Sequence, residues 1–101
     1  MEHAMATKNG QVEITLRGRL TFTDNPAFKG FIKEIESASQ RTVVFDLGGL
    51  EFIDSAGLGM FLLARTAAIK SGVHLILRRP AGQVDRVFSL SKFETLFKIE
   101  S

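Results

Sequence analysis

The chain has no cysteine among its 101 residues. That excludes disulfides, thiolate zinc sites and thiol catalysis together, and it fits a reducing compartment. No apolar run approaches the roughly 20 residues that a membrane helix needs. The opening segment, Met1-Glu2-His3-Ala4-Met5-Ala6, lacks the charged-then-apolar layout of a secretion signal, so a cytoplasmic location and no membrane insertion are expected. Charge of one sign is scarce as well. Lys and Arg total 13 against 11 Asp and Glu, a formal net charge of +2, and the pI of about 9.3 reflects only that small excess. The basic residues are scattered, with no stripe of them interleaved with aromatics, so the composition speaks against nucleic-acid binding.

What remains is ordinary globular material, 45% hydrophobic and 24% charged, enough for one domain over residues 1–101 with a single modest core. Asn9-Gly10 is a two-residue hairpin signal, preceded by too few residues for more than a short edge strand. After it, Val12, Ile14 and Leu16 alternate with polar residues, which predicts a strand with one wet face. Gly18 ends it, and Leu20 and Phe22 continue as an extended segment. Asp24-Asn25-Pro26 reads as a helix start. The helix carries Phe28, Phe31, Ile32 and Ile35 on one face and leaves through a polar exit over residues 37–40.

Thr42–Leu47 does not alternate and predicts a central strand covered on both faces, broken by Gly48-Gly49. A second helix is predicted over 55–70, stopped by Ser71-Gly72. A buried-type strand over 73–77 follows, then a short helix around Val84, Val87 and Phe88. The tail holds Phe93, Leu96, Phe97 and Ile99, apolar enough to dock as a turn and a terminal strand. This order is that of an α/β domain.

The most informative segment is Phe52-Ile53-Asp54-Ser55-Ala56-Gly57-Leu58-Gly59, between the central strand and the second helix. It places a hydroxyl at a helix start, where backbone N–H groups lack partners and the dipole is positive. Two readings stand: a plain helix cap, or a site where negative charge is added and removed. Gly57 and Gly59 cost up to about 1 kcal/mol each relative to alanine inside a helix. A bare backbone there implies close approach by a partner or by a strand beneath.

Enzymatic motifs are missing their key residues. A nucleophile elbow needs glycine two positions before the serine, and Ile53 stands there. A phosphate-binding loop needs Gly-Lys followed by a hydroxyl residue, and Gly57-Leu58-Gly59-Met60 has no lysine. Asp46, Glu51 and Asp54 do not form a metal-ligand cluster, and the histidines are His3 in the tail and His74 at a strand start. No cofactor is expected. The second helix is apolar beyond one stripe, through Leu58, Met60, Phe61, Leu62, Leu63, Ala64, Ala67, Ala68 and Ile69. Either it is core on most sides, or one edge with Met60 and Leu63 docks another protein.

Val43-Val44-Phe45-Asp46-Leu47, a short loop and Phe52-Ile53-Asp54-Ser55-Ala56-Gly57-Leu58-Gly59 together resemble the STAS domain of bacterial anti-sigma factor antagonists. Gly18-Arg19-Leu20 matches that family's Gly-x-Leu, and Val87-Phe88-Ser89-Leu90 with the Phe93–Ile99 tail resembles its closing elements. The resemblance implies a single STAS-type α/β domain, with a mixed sheet of four to five strands and helices mainly on one side.

It also implies a protein-binding switch rather than an enzyme. Ser55 would be phosphorylated by a partner that is both anti-sigma factor and serine kinase, of the histidine-kinase-like ATPase fold. A PP2C-type phosphatase would reverse the modification, and the unmodified protein would bind the anti-sigma factor as a monomer or weak dimer. Asp54 would shape the site. The expected contact surface is Ser55, Ala56, Gly57, Leu58, Gly59, Met60 and Leu63, flanked by Thr21 and Asp24. Thr21 stands where the family usually has aspartate, and Asp24 either compensates or simply caps the first helix. The alternative within the family is a STAS domain or subunit of a membrane anion or lipid transporter.

Overall fold

The structure, a computed structural model, describes residues 1–37 and 41–101. Strand β1 (Glu2–Lys8) and strand β2 (Gln11–Leu20) form a hairpin. Its turn is Asn9-Gly10, with φ of 51° and 76°; positive φ at both central residues matches the right-handed twist of the flanking strands. A 3-10 turn at Phe22–Asp24 leads into helix α1 (Asn25–Ser37). Strand β3 (Thr42–Ile53), helix α2 (Ser55–Ser71), strand β4 (His74–Arg78), helix α3 (Gly82–Leu90), a 3-10 turn at Phe93–Thr95 and strand β5 (Lys98–Glu100) complete the chain.

The five strands lie in sequence order, β1 antiparallel to β2 and the other neighbours parallel. Val12, Ile14 and Leu16 of β2, Val43, Phe45 and Leu47 of β3 and Leu77 of β4 share one core with Phe28, Phe61, Val84 and Phe88 of the helices. Aromatic rings knit that core. Phe28 stacks on Phe45 at 5.6 Å, and Phe61 meets both edge-on. Phe88 then continues to Phe93 and Phe97. Such pairs add about 0.5–1.5 kcal/mol beyond burial, and they tie the terminal turn to the sheet.

Val44 and Ile76 are also buried but stand outside this cluster, on the sheet face without helices. There Arg78 reaches Glu13 at 3.5 Å and Glu100 at 3.6 Å, linking β2, β4 and β5 across the flat face. Arg79 bonds Asp46 on the same side.

Several boundaries differ from the sequence expectations. β1 is seven residues long and pairs along its whole length, because the hairpin turn sets its register. Gly48-Gly49 does not end β3. The strand runs on to Ile53, and the β2–β3 register shifts between Thr15 and Arg17 and again between Gly18 and Arg19. A Cβ on Gly49 would sit 2.6 Å from Arg17 Cγ, so the glycine makes room for the stem of Arg17. β2 likewise passes through Gly18, at φ +90°, to Leu20. Phe22 belongs to a 3-10 turn, not to an extended segment. Asp24 closes that turn rather than α1: its Oδ2 accepts from Thr21 N–H at 2.9 Å, and its Oδ1 lies 3.4 Å from the Met1 ammonium. α2 stops at Gly72 with φ 69°, a left-handed cap that glycine adopts without strain. The polar exit expected over 37–40 lies outside the described residues beyond Ser37.

Candidate functional site at the start of helix α2

The carboxyl ends of β2 and β3 converge on the start of α2, where open α/β sheets place their binding sites. Asp54 N–H donates to Leu20 O at 3.2 Å, so β2 sets the position at which β3 turns. Asp54 then caps the helix: its Oδ1 accepts from Gly57 N–H at 2.8 Å. Its Oδ2 accepts from Phe22 N–H at 3.3 Å. One carboxylate thus joins the 3-10 turn to α2, a cap whose removal ordinarily costs about 1 kcal/mol.

With Asp54 as the cap, Ser55 is not needed for capping. It is the first residue of α2, it is exposed, and its hydroxyl bonds no protein atom among the described residues. The other edge of the turn is held by α3. Gln83 Oε1 accepts from Ile53 N–H and Gln83 Nε2 donates to Ile53 O, both at 3.0 Å. The side-chain amide stands in for the neighbouring strand that β4, ending at Arg78, does not supply.

Beside Ser55 lies a groove of about 540 Å³ lined by Phe22, Asn25, Ala56, Gly59, Met60 and Leu63. Phe22 is 71% exposed and Leu63 59%, a large fraction for apolar side chains facing the same groove. The expected contact residues therefore separate. Ala56, Gly59, Met60 and Leu63 line the groove, with Ser55 and Asp54 at the head of the helix. Thr21 precedes the turn that Asp54 holds, its hydroxyl 2.9 Å from that of Thr23. Asp24 ends that turn, with its carboxylate engaged by Thr21 and the Met1 ammonium. Leu58 packs against the core.

Gly57 is buried: a Cβ there would meet Ile53 Cγ1 at 2.6 Å and Leu20 Cγ at 3.1 Å, whereas a Cβ on Gly59 meets nothing within 4 Å. Gly57 lets the helix approach the strands, and Gly59 keeps the groove open. Phe22, Asn25 and Gln83 are not among the residues that the sequence marks for this site. The fold brings them to the site from other elements, and the one local signal was an aromatic residue between polar ones in Thr21-Phe22-Thr23.

The profile of the STAS domain family matches residues 3–101. The chain belongs to the STAS domain family. A STAS-domain containing protein of Pseudomonas aeruginosa is 32% identical over 97 residues, 95% of each chain. The STAS fold is also shared with a solved anti-sigma factor antagonist described as putative, from Thermotoga maritima, at TM-score 0.87 and 23% identity over 98% of this chain and 86% of that one. A sulfate transporter family protein from Wolinella succinogenes has TM-score 0.79 and 16% identity over 94% of this chain and 80% of that one. The fold is thus one that both kinds of protein share. Among the described residues no group of three or more His, Asp or Glu could hold a metal ion. No helix among them is long and apolar enough to cross a membrane.

Proposed function

We propose that this STAS domain is an anti-sigma factor antagonist whose binding is switched by phosphorylation of Ser55. The observation that carries the reading is the division of labour at the start of α2: Asp54 does the capping, and Ser55 is left exposed with an uncommitted hydroxyl. The partner in this reading is an anti-sigma factor that is also a serine kinase of the histidine-kinase-like ATPase fold, working in the cytoplasm. The serine oxygen attacks the terminal phosphorus of ATP, ADP leaves, and the hydroxyl proton passes to a base of the kinase. A PP2C-type phosphatase restores the hydroxyl by hydrolysis. The domain is substrate and ligand, and contributes no catalysis of its own.

Phosphorylation adds about −1.5 to −2 charges and three acceptor oxygens. A helix N-terminus tolerates such a group, so the domain keeps its fold. A partner fitted to a neutral hydroxyl and an apolar groove then faces a solvated dianion beside the Asp54 carboxylate. Burying it without a counter-charge costs several kcal/mol, and each 1.4 kcal/mol is about tenfold in affinity. The switch works by local blockage. Retention of the Asp54-Ser55 pair beside an exposed apolar groove favours this reading over a transporter subunit.

The test is capture of partners from the source cell with three baits. Unphosphorylated wild type and Ser55→Ala are expected to retain an ATPase of the stated fold, and Ser55→Asp to lose it by at least tenfold. Equal capture by all three would refute the switch.

A further inference from the structure

We infer that the outer edge of β1 is a self-pairing surface, through which two copies of this chain join their sheets antiparallel about a two-fold axis at Met5. All seven residues of Glu2–Lys8 are exposed, and no strand pairs with the outer edge of β1 among the described residues. Such an edge offers a row of free N–H and C=O groups, and soluble proteins usually guard it with proline, a bulge or a mid-strand charge. β1 has none of these. Its register against β2 runs without a shift from Glu2↔Arg17 to Lys8↔Gln11, and its two long charged residues sit at its ends.

The sequence Glu2-His3-Ala4-Met5-Ala6-Thr7-Lys8 is self-complementary in one register. Centring the axis on Met5 places Glu2 opposite the partner's Lys8, and by symmetry Lys8 opposite the partner's Glu2. Ala4 then faces the partner's Ala6, His3 the partner's Thr7, and Met5 the partner's Met5. Opposite residues in an antiparallel pair share a face. The two ion pairs and the small alanines fall on the sheet face without helices, where their β2 partners Arg17, Thr15, Glu13 and Gln11 lie. The methionine pair falls on the helix side, where Met5 is 44% exposed and His3 packs edge-on to Phe31 at 5.1 Å. Moving the register by two residues removes both ion pairs, so charge selects this alignment over its neighbours.

The Glu2 end of β1 adjoins the end of β2 that leads to Asp54. The two-fold axis therefore sends the two Ser55 sites to opposite ends of a ten-stranded sheet, both uncovered. One short edge strand buries less than stable interfaces do, so the pairing is reversible and dependent on concentration.

Sedimentation equilibrium on the full chain tests this. Wild type is expected to rise from its monomer mass of 11.1 kDa toward twice that value as concentration increases. Glu2→Lys and Lys8→Glu each place like charges opposite one another and should weaken the dimer at least fivefold. The double variant Glu2→Lys/Lys8→Glu restores both pairs, and net charge, and should regain it. Circular dichroism checks that all four proteins are equally folded. A monomer at every concentration, a dimer indifferent to the reversals, or a double variant no better than the singles would each overturn the inference.

Discussion

Two glycines two positions apart do opposite work at the residue scale. Gly57 presses on Ile53 and Leu20, with no room for a methyl group. Gly57→Ala should therefore destabilise the domain by about 1–3 kcal/mol, the usual range for overpacking, read as a lower urea midpoint. Gly59 faces open groove. Gly59→Ala should keep or raise stability, by up to about 1 kcal/mol from helix propensity, while weakening partner capture. The sequence flagged both glycines as demanding a bare backbone, yet it did not distinguish the strand beneath from the groove outside. That distinction depends on which way each Cα faces once α2 is docked.

Asp46 also acts as a single residue. Partial burial pushes its carboxyl upward in pKa, but the hydrogen bond from Arg79, the Gly48 N–H and the charges of Arg79 and Arg78 together bring it below its ordinary value. A depressed carboxyl contributes stability above the unfolded pKa, near about 4, and loses it as pH falls through the folded value. Asp46→Asn should thus be less stable than wild type at neutral pH. The gap should close below about pH 4, seen in melting temperatures across an acid series.

At the scale of elements, most of the architecture was legible because its signals are local. The alternation in β2, the apolar face of α1 and the Ser71-Gly72 stop each depend on a few neighbouring residues. Gly48-Gly49 misled because a glycine pair usually ends a strand, and only Arg17 on the adjacent strand reveals why β3 needs them. The length of β1 was hidden for a related reason. Its residues are exposed on both faces, so no periodicity marks them, and pairing to β2 alone makes them a strand. The groove was half legible: α2 displayed its apolar excess, whereas Phe22 reaches it through a turn with no strong signature and Asn25 from the first position of α1.

Gln83 couples α3 to the site at this same scale. Its amide makes two hydrogen bonds to Ile53, the residue before the cap. Each is worth about 0.5–1.5 kcal/mol net. Gln83→Ala should speed amide hydrogen exchange at Ile53 and Asp54 with smaller effects elsewhere in β3. Gln83→Glu keeps the acceptor and loses the donor, so it should fall between alanine and wild type. Uniform exchange in all three proteins would show that α3 does not hold the turn.

At the scale of the whole molecule, a five-stranded sheet with helices on one face leaves open, besides the outer edge of β1, its flat face and the carboxyl ends of its strands. The flat face is laced by Arg78 and Arg79 to acids from three other strands. The carboxyl ends of β2 and β3 carry a hydrogen-bonded platform on which Ser55 is exposed. Because Asp54, Gln83 and Leu20 fix the start of α2 from three elements, a change at Ser55 is expected to alter the surface and not the fold. In the proposed switch the domain is a firm support for one chemical mark.

The most direct measurement is site-resolved mass spectrometry of the protein purified from its own cells under opposing growth conditions. A phosphoryl group is expected on the peptide containing Ser55, with an occupancy that changes between conditions and is absent in Ser55→Ala. An unmodified Ser55 in every condition, or a phosphoryl group carried elsewhere while Ser55 stays bare, would contradict the proposed switch.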